Sequence, residues 1–439
     1  MAELSTTKLS LAPEASEQAG LLAKLGPGLV TGAADDDPSG IATYSQVGAQ
    51  FGFSMLWLML FSFPLMAGIQ EICGRLGRIT GRGLAANLAK SYSNTLVRFL
   101  VLLLLMANIF NLGADISAMG SGMQLVVGGN VIVYAVLFGA VSLLLQVYIP
   151  YRKYVDYLKW LTWALFSYVI TAFIVHVPWG RALAATVVPS MSFKPEYLMA
   201  LVAVLGTTIS PYLFFWQTSQ EVEEVRIKPN ESPLKKKPFQ AFAQFRRIAI
   251  DTRVGMAFSN LVAFFIILTT AATLHNVSDS NRIQTAADAA KALQPLAGHF
   301  AFLLFAIGIV GTGMLAIPVL AGSAAYAVCE TFGWHASLES KPRNARKFYY
   351  VIAFATILGV CLNLLGFDPI RALFWSALVN GMVAVPLMFL LMLISVNPAI
   401  VGKFRLPLYL RVAGWAATLL MAAASLALMV TALRHVLSP

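Results

Sequence analysis

Long apolar runs recur along the whole chain and are separated by shorter polar stretches. A run of about 20 apolar residues can cross the hydrocarbon core of a bilayer as a helix, which pairs its own backbone groups there. Strands would show a period of two, and no such alternation competes with these runs. The pattern predicts an all-α membrane protein with about eleven transmembrane segments. Numbered in chain order, the segments are 26–50, 53–74, 96–126, 131–149, 157–177, 197–220, 254–275, 299–329, 349–366, 370–395 and 408–433.

Segment 1 is interrupted by three consecutive acids and a proline, Asp35-Asp36-Asp37-Pro38, with apolar sequence on both sides. A carboxylate at membrane depth is costly and is tolerated mainly where it faces water, an ion or a partner. A proline removes a backbone donor and breaks a helix. The pattern favours a helix broken near mid-membrane with charge at the break, as in the ion site of a transporter. The alternative is a solvated cap just outside a short helix.

Segment 6 contains a second interruption, where Thr207, Thr208 and Ser210 precede Pro211. A simple proline kink is the alternative, because kinks are common in membrane helices. Five spans separate the start of segment 1 from the start of segment 6. Because five is an odd number, the unit that begins with segment 6 crosses the membrane in the opposite orientation to the unit that begins with segment 1. Paired broken helices in corresponding halves predict an inverted-repeat transporter with its site at the midplane. The predicted parts are a flexible cytoplasmic tail 1–24, a first repeat 25–178, a second repeat 196–395 containing a cytoplasmic loop 221–252, and segment 11 with the C-terminus over 396–439.

Charge and cysteine content narrow the class of protein. Charged residues make up 12% of the chain, about half of what soluble domains carry. With the N-terminus in the cytoplasm, most of the 31 lysines and arginines fall in inside loops, which favours an inside N-terminus and an outside C-terminus. The net charge of +11 therefore reflects membrane topology, and no nucleic-acid partner is expected. The three cysteines lack metal-ligand spacing and are expected in the core.

The polar residues at the two breaks all offer oxygen ligands, without histidine, cysteine or methionine. Oxygen suits magnesium, calcium or manganese, whereas sulfur and imidazole favour iron, zinc or copper. Small residues at the breaks leave space, and magnesium usually keeps several of its waters. The pattern therefore favours a partly hydrated magnesium ion. The candidate ligands are Asp37, Gly40, Thr207 and Ser210, and the residues expected around them are Asp35, Asp36, Ser39, Thr43, Thr208 and Asn380.

Segment 3 carries three polar residues at membrane depth, Asn108, Asn111 and Asp115. Their spacing places them on one face of a helix. Two interpretations stay open. The three residues line an aqueous path, or Asp115 pairs with a basic residue as a structural lock.

Several short motifs follow one another along the chain and together resemble a known family. In order, they are Gly26-Pro27-Gly28, Asp37-Pro38, Arg75-Leu76-Gly77 with Thr80-Gly81, Asp115, and Gly206 to Pro211. They resemble the NRAMP family (natural resistance-associated macrophage proteins) over nearly the whole chain after residue 24. The resemblance implies a LeuT-type fold with a 5+5 inverted repeat and broken helices 1 and 6. It also implies proton-coupled transport of manganese and iron.

The chain departs from this family at the ligands. Asp37 is retained, but the family's metal-binding Asn falls at Gly40 and its Met, the soft ligand, falls at Ser210. Loss of the thioether should weaken discrimination against hard ions.

The titratable groups of the family are replaced as well. Two histidines of the family fall at Tyr212 and Gln217, which we place near the site, and two glutamates of segment 3 fall at Asn108 and Ala118. A proton pathway needs such groups. The pattern resembles the NRAMP-related magnesium transporter branch, prokaryotic proteins thought to carry magnesium and manganese without proton coupling. We therefore expect a multi-pass protein of the inner (plasma) membrane of a prokaryote.

The predicted function is transport of divalent metal cations by alternating access, favouring Mg²⁺ and Mn²⁺, without proton coupling. The metal is the cargo, no cofactor is expected, and the partners are the ion and the lipid bilayer, with a monomer as the working expectation.

The first alternative is an ordinary proton-coupled Mn²⁺/Fe²⁺ transporter in which Asp37 and Asp115 carry the proton. The second is a carrier of amino acids or other organic solutes, disfavoured by three acids at the break. An intramembrane aspartyl protease would need a second Asp in a Gly-x-Gly-Asp setting, which the sequence lacks, so no enzyme is expected.

Overall fold

The computed structural model describes residues 27–149, 161–275, 283, 285–366 and 368–437. Within these ranges the chain forms helices joined by short connections, and no strand occurs in them. The α-helices are α1 Pro27–Asp35, α2 Pro38–Phe51, α3 Trp57–Thr80, α4 Leu84–Leu88, α5 Asn94–Val127, α6 Val131–Tyr148, α7 Phe166–Ile174, α8 Trp179–Val187, α9 Pro195–Thr208, α10 Pro211–Ile227, α11 Ala241–Thr273, α12 Ala286–Ala290, α13 Gln294–Ala297, α14 Ala301–Thr331, α15 Arg346–Leu362, α16 Pro369–Val396, α17 Pro398–Val401 and α18 Leu408–Leu437. Short 3₁₀ turns are Gly52–Met55, Leu161–Leu165, Pro238–Gln240, Lys291–Leu293, Gly298–Phe300 and Asn363–Leu365.

The helices follow the predicted segments closely. Segment 1 is α1 with α2, and segment 6 is α9 with α10, so both predicted breaks are present. Among the described residues, nine helical stretches are long and apolar enough to cross a membrane, and a shorter apolar one, Trp163–Ile174, belongs to segment 5. The remaining helices used below are α3 in segment 2, α5 in segment 3, α11 in segment 7, α14 in segment 8, α16 in segment 10 and α18 in segment 11. The all-α membrane fold is confirmed.

One predicted loop is largely helical. Of residues 221–252, α10 continues to Ile227 and α11 begins at Ala241, so only 228–240 form the connection. The hydropathy pattern did not include these helical turns in segments 6 and 7 because they carry charged residues. Those charges pair with each other, as Arg247 Nη2 does with Glu221 Oε2 at 2.5 Å. The predicted tail 1–24, the residue Gly26 and the first residues of segment 5 lie outside the described part of the chain.

Glycines allow the broken segments to pack closely against their neighbours. A Cβ atom at Gly32 of α1 would lie 2.2 Å from the carbonyl oxygen of Gly255 in α11. A Cβ atom at Gly206 of α9 would lie 2.1 Å from the carbonyl oxygen of Ala377 in α16. Small residues at such crossings let membrane helices approach to backbone contact. The two breaks are thus fixed against segments 7 and 10.

The two ends of the bundle differ. At one end, a cavity of about 470 Å³ lies between α2, α9 and α16, with Gln46, Glu196 and Arg371 in its wall. At the other end, the fully buried Arg78 of α3 pairs with Glu221 of α10 and with Glu231 of the 228–240 connection. The bundle is therefore hollow at the first end and cross-linked by ion pairs at the second.

Candidate metal site at the helix breaks

The break in segment 1 places a carboxylate at a helix N-terminus. Asp37 has an extended backbone and caps α2, where its Oδ1 accepts hydrogen bonds from the Gly40 amide at 2.8 Å and the Ser39 hydroxyl at 2.6 Å. Pro38 suits the first helical position, because the amide it lacks would have no helical partner there. The local sequence thus builds its own cap, and the α2 dipole stabilises the negative charge.

The other oxygen of Asp37 connects three segments. Its Oδ2 lies 3.2 Å from Asn111 Nδ2 of α5 and 3.2 Å from the Tyr212 hydroxyl of α10. The Tyr212 hydroxyl also lies 3.3 Å from the carbonyl oxygen of Ala34, and its single hydrogen serves one acceptor at a time. Asp37 is only 2% exposed, so neutral donors from segments 1, 3 and 6 surround a buried carboxylate.

The break in segment 6 leaves carbonyl oxygens beside a serine. Ile209 departs from helical geometry between α9 and α10. The Ser210 hydroxyl lies 2.9 Å from the Gly206 carbonyl oxygen and 2.7 Å from that of Thr207. The Thr207 hydroxyl lies 3.0 Å from the Tyr44 hydroxyl of α2. The break is therefore rich in oxygen and is joined directly to the second half of segment 1.

Gly40 faces the ring of Tyr44. A Cβ atom at Gly40 would lie 3.3 Å from Tyr44 Cε2, 3.5 Å from the Asp35 carbonyl oxygen and 3.7 Å from Asp37 Oδ1. A side chain at this position would approach the Asp37 carboxylate and press on the tyrosine ring. The ring of Tyr44 therefore occupies part of the space that the sequence predicts next to Gly40.

Asp35 and Asp36 point to segment 7 and share one hydroxyl group. Ser259 Oγ of α11 lies 2.7 Å from Asp35 Oδ2 and 3.1 Å from Asp36 Oδ1. The remaining oxygen of each carboxylate is buried and has no hydrogen-bond partner among the described residues. No ion pair to either acid occurs within the described ranges. Because buried adjacent charges are costly without compensation, this pair requires a proton or a cation.

The three polar residues of segment 3 take different positions. Asn111 contacts Asp37, whereas Asn108 Nδ2 donates to the Leu320 carbonyl of α14 at 2.9 Å. Asp115 is fully buried and interacts electrostatically with Asp37. In the part of the chain that the structure describes, Asp115 lies near the backbone amide of Ser39, and no basic residue pairs with it. A lock between Asp115 and a basic residue is therefore not observed there.

The remaining predicted residues lie around the breaks without contacting Asp37. The Thr208 hydroxyl bonds to its own helix, and Gln217 Oε1 accepts a hydrogen bond from the Thr31 hydroxyl of α1 at 2.6 Å. Thr43 and Asn380 are buried, and their side-chain polar atoms lack hydrogen-bond partners among the described residues. A buried amide left without partners is costly, so Asn380 is suited to meet water or a ligand.

Three residues of the site have no signal in the sequence motifs. Tyr44 lies two turns along α2 from Asp37, and a tyrosine in an apolar run carries no functional pattern. Ser259 and Thr31 each lie inside apolar helices, where serine and threonine are common and satisfy themselves on their own backbone. Their contacts with Asp35, Asp36 and Gln217 depend on how α1 packs against its neighbours, which periodicity does not provide.

The chemistry of the site follows from its donors. The groups that form hydrogen bonds with Asp37 are amide, phenol and hydroxyl groups, all of them neutral, and the segment 6 break adds hydroxyl and carbonyl oxygens. The carboxyl groups of Asp35, Asp36 and Asp115 lie close enough to Asp37 to interact with it electrostatically. Within the described ranges, no group of three or more His, Cys, Asp or Glu residues is arranged to hold a metal ion. A divalent cation beside Asp37 would therefore meet one carboxylate, with neutral oxygens and water completing its shell.

Membrane-length helices with two broken segments side by side, and a buried carboxylate at the break, define an inverted-repeat membrane transporter. Two solved structures support this fold. The manganese transporter of Eremococcus coleocola superposes with a TM-score of 0.73 at 17% identity, over 92% of this chain and 85% of that one. Mhp1, a nucleobase-cation-symport-1 family transporter in a closed conformation, gives 0.58 at 15% identity, over 93% of both chains. The LeuT-type fold expected from the sequence is confirmed.

Residues 28–431 match the model of the family described as natural resistance-associated macrophage protein-like. The chain belongs to this family, and it is a membrane transporter of divalent metal cations rather than an enzyme. A relative from Klebsiella pneumoniae (strain 342), the divalent metal cation transporter MntH, is 25% identical over 404 residues that cover 90% of each chain. The metal is transported and is not a cofactor.

Proposed function

We propose that this protein carries Mg²⁺ and Mn²⁺ into the cell as partly hydrated ions, without proton coupling, and that Asp37 is the charged ligand. The supporting observation is the donor set at the breaks, which holds one capped carboxylate among neutral groups. Relatives named as manganese and divalent metal cation transporters are consistent with Mn²⁺ as one cargo. The membrane potential supplies about 4.6 kcal/mol per 100 mV to an incoming divalent ion, twice the value for a single charge.

The preference for hard ions rests on segment 6. Ser210 and Thr207 contribute hydroxyl and carbonyl oxygens at the break, and the sequence from Gly206 to Pro211 contains no cysteine or methionine. Magnesium loses its waters reluctantly and favours oxygen, whereas a thioether favours softer transition metals. We propose Asp37, Thr207 and Ser210 as direct or water-mediated ligands, Gly40 as the residue that keeps the carboxylate accessible, and Asn380 as a further polar contact from segment 10.

The absence of proton coupling rests on the partners of Asp37. Its hydrogen-bond donors are the Ser39 hydroxyl, the Gly40 amide, the Asn111 amide and the Tyr212 hydroxyl. A proton relay uses groups such as imidazole and carboxylic acids, and these four donors stay neutral. We propose that they hold Asp37 ready for a cation throughout the cycle.

A second candidate is an ordinary proton-coupled Mn²⁺/Fe²⁺ transporter. One observation favours it, because the buried carboxylate of Asp115 lies close enough to Asp37 to interact with it. In that case Asp37 and Asp115 would carry the proton.

The transport cycle is proposed to alternate between the two ends of the bundle. The cavity between α2, α9 and α16 forms the outer vestibule, and the ion pairs of Arg78 close the inner end. This assignment places the N-terminus in the cytoplasm and the C-terminus outside, in the inner membrane of a prokaryote. A bundle containing segments 1 and 6, one from each of the repeats 25–178 and 196–395, would then rock against the remaining helices.

Metal flux into proteoliposomes tests this proposal. The purified protein is reconstituted with a magnesium-sensitive dye inside one set of vesicles and a pH dye inside a parallel set. Expected is entry of Mg²⁺ and Mn²⁺ driven by an inside-negative potential, with no metal-dependent acidification. Metal-dependent acidification with Mn²⁺ entry and no Mg²⁺ entry would establish the proton-coupled alternative instead.

A further inference from the structure

The connection before α11 and the first turns of α11 expose aromatic and basic side chains together. Phe239 and Phe242 are 80% and 81% exposed. Lys235, Lys236 and Arg246 are exposed in the same stretch. We call Lys235, Lys236, Phe239, Phe242, Arg246 and Lys403 the basic aromatic patch.

The patch extends onto the connection that leads to α18. The Lys235 ammonium group lies 3.3 Å from the Ala399 carbonyl oxygen, and its Cε lies 3.6 Å from the point that a Cβ atom of Gly402 would occupy. One turn into α11, the ring of Phe245 packs against Phe404 with 5.9 Å between centroids. The exposed Lys403 stands between these two contacts in the sequence and belongs to the same surface.

The positive charge of the patch is not neutralised by neighbouring acids in the sequence. Between residues 232 and 250 the chain contains no Asp or Glu. The preceding acid, Glu231, forms ion pairs with Arg78 and Lys228. Lys236 and Arg246 form no ion pair within the described ranges. The patch therefore presents net positive charge around two exposed rings.

The end of α3 places this patch at the membrane boundary. This helix has 24 residues, so it is about 36 Å long, slightly more than the hydrocarbon core of about 30 Å. The backbone amide of Lys235 donates a hydrogen bond to the carbonyl oxygen of Ile79, the residue before the last of α3, at 3.2 Å. The patch and the start of α11 therefore lie at the depth of the headgroups.

We infer that the basic aromatic patch binds anionic phospholipid headgroups of the leaflet in which α11 begins. Phe239 and Phe242 insert at the boundary of headgroups and acyl chains, where aromatic side chains are favoured. The lysine and arginine side chains reach the phosphate groups, and each basic residue close to an anionic surface contributes about a fivefold gain in affinity. Charge complementarity and the position of α11 select lipid as the occupant.

Lipid binding to the full-length protein in detergent micelles tests this inference by native mass spectrometry. The probes are phosphatidylglycerol and phosphatidylcholine of equal chain length. We expect the wild type to bind phosphatidylglycerol more tightly than phosphatidylcholine. The triple variant Lys235→Gln, Lys236→Gln, Arg246→Gln should bind phosphatidylglycerol more weakly than the wild type by about tenfold or more. Phe239→Ser with Phe242→Ser should weaken binding of both lipids.

A matched control removes two exposed charges elsewhere, Lys341→Gln with Arg343→Gln, and should leave the lipid preference unchanged. The single variants Lys236→Gln and Arg246→Gln, each expected to lose about fivefold, keep the test valid if the triple variant does not fold. Equal binding of both lipids by the wild type, or unchanged binding by the patch variants, would overturn the inference. A dimer that is present in the wild type and lost in the patch variants would assign the patch to a second copy of the chain instead.

Discussion

In the proposed site, Ser210 is the residue that would determine which metals the segment 6 break favours. Its hydroxyl group lies against two carbonyl oxygens, those of Gly206 and Thr207. A hydroxyl at this position adds another hard donor, and it also holds the carbonyls of the break together. Ion preference in this account therefore depends on the chemistry of one side chain rather than on the shape of the whole cavity.

Replacing this side chain should change the selectivity. Ser210→Met introduces a thioether at the break and should raise the preference for Mn²⁺ or Cd²⁺ over Mg²⁺ by about tenfold or more. Competition between these ions in the proteoliposome assay measures the ratio. Ser210→Ala removes the hydroxyl without adding sulfur, so it should leave the ratio near that of the wild type. An equal shift in both variants would show that the hydroxyl, and not the missing sulfur, controls selectivity.

Ser259 is predicted to matter for stability because its hydroxyl group lies within hydrogen-bond distance of two buried carboxylates and donates to one of them at a time. Ser259→Ala should lower the free energy of unfolding by about 1.5–3 kcal/mol, as expected for hydrogen bonds to charged groups. Ser425 of α18 is also buried, and its hydroxyl has no hydrogen-bond partner in the described ranges, so Ser425→Ala is the matched control. Thermal unfolding in detergent compares the two variants. Equal losses of stability would contradict the role assigned to Ser259.

Pairs of helices position the breaks through backbone contact. Because Gly206 touches the α16 backbone, a methyl group there forces α9 away from segment 10. Gly206→Ala should therefore destabilise the protein by about 1–3 kcal/mol and slow metal flux. Gly180 of α8 has open space around its Cα atom, and Gly180→Ala should have little effect. If both variants unfold at the wild-type temperature, the close crossing of α9 and α16 does not position the break.

The elements were largely predictable from the sequence, and the contacts between them were not. The apolar runs located the segments as far as the structure describes them, and Pro38 and Pro211 located both breaks, because these features act within a single helix. The end of α10 and the start of α11 were missed because their charges are paired across elements, as in Arg247 with Glu221. Ser259 was missed for the same reason, since its partner acids lie more than 200 residues away in the chain.

The molecule as a whole is cross-linked at the end opposite to the cavity. Arg78 is 0% exposed, and its partners Glu221 and Glu231 come from α10 and from the connection that follows it. Removing one partner of a buried ion pair leaves an uncompensated charge and typically costs about 3–5 kcal/mol. In the proposed transport cycle, opening of this end would separate these groups, so we expect the network to limit how often the end opens.

Thiol labelling should report this opening. Cys73 of α3 is fully buried and lies little more than one turn before Arg78, whereas Cys361 is exposed. Arg78→Gln should increase the labelling rate of Cys73 by a membrane-permeant maleimide about tenfold, and leave that of Cys361 unchanged. Arg343→Gln, at an exposed position, should leave both rates at the wild-type values. Unchanged labelling of Cys73 in Arg78→Gln would show that these ion pairs do not close the bundle.

The most direct test of the account is calorimetric binding of Mg²⁺ and Mn²⁺ to the detergent-solubilised protein and to Asp37→Asn. The substitution preserves shape and removes the one carboxylate that segments 1, 3 and 6 surround. Saturable binding of both ions to the wild type is expected, with loss of binding in Asp37→Asn and retention in Asp288→Asn, which alters a solvent-accessible position. Binding of either ion to Asp37→Asn with wild-type affinity would contradict the assignment of Asp37 as the charged ligand.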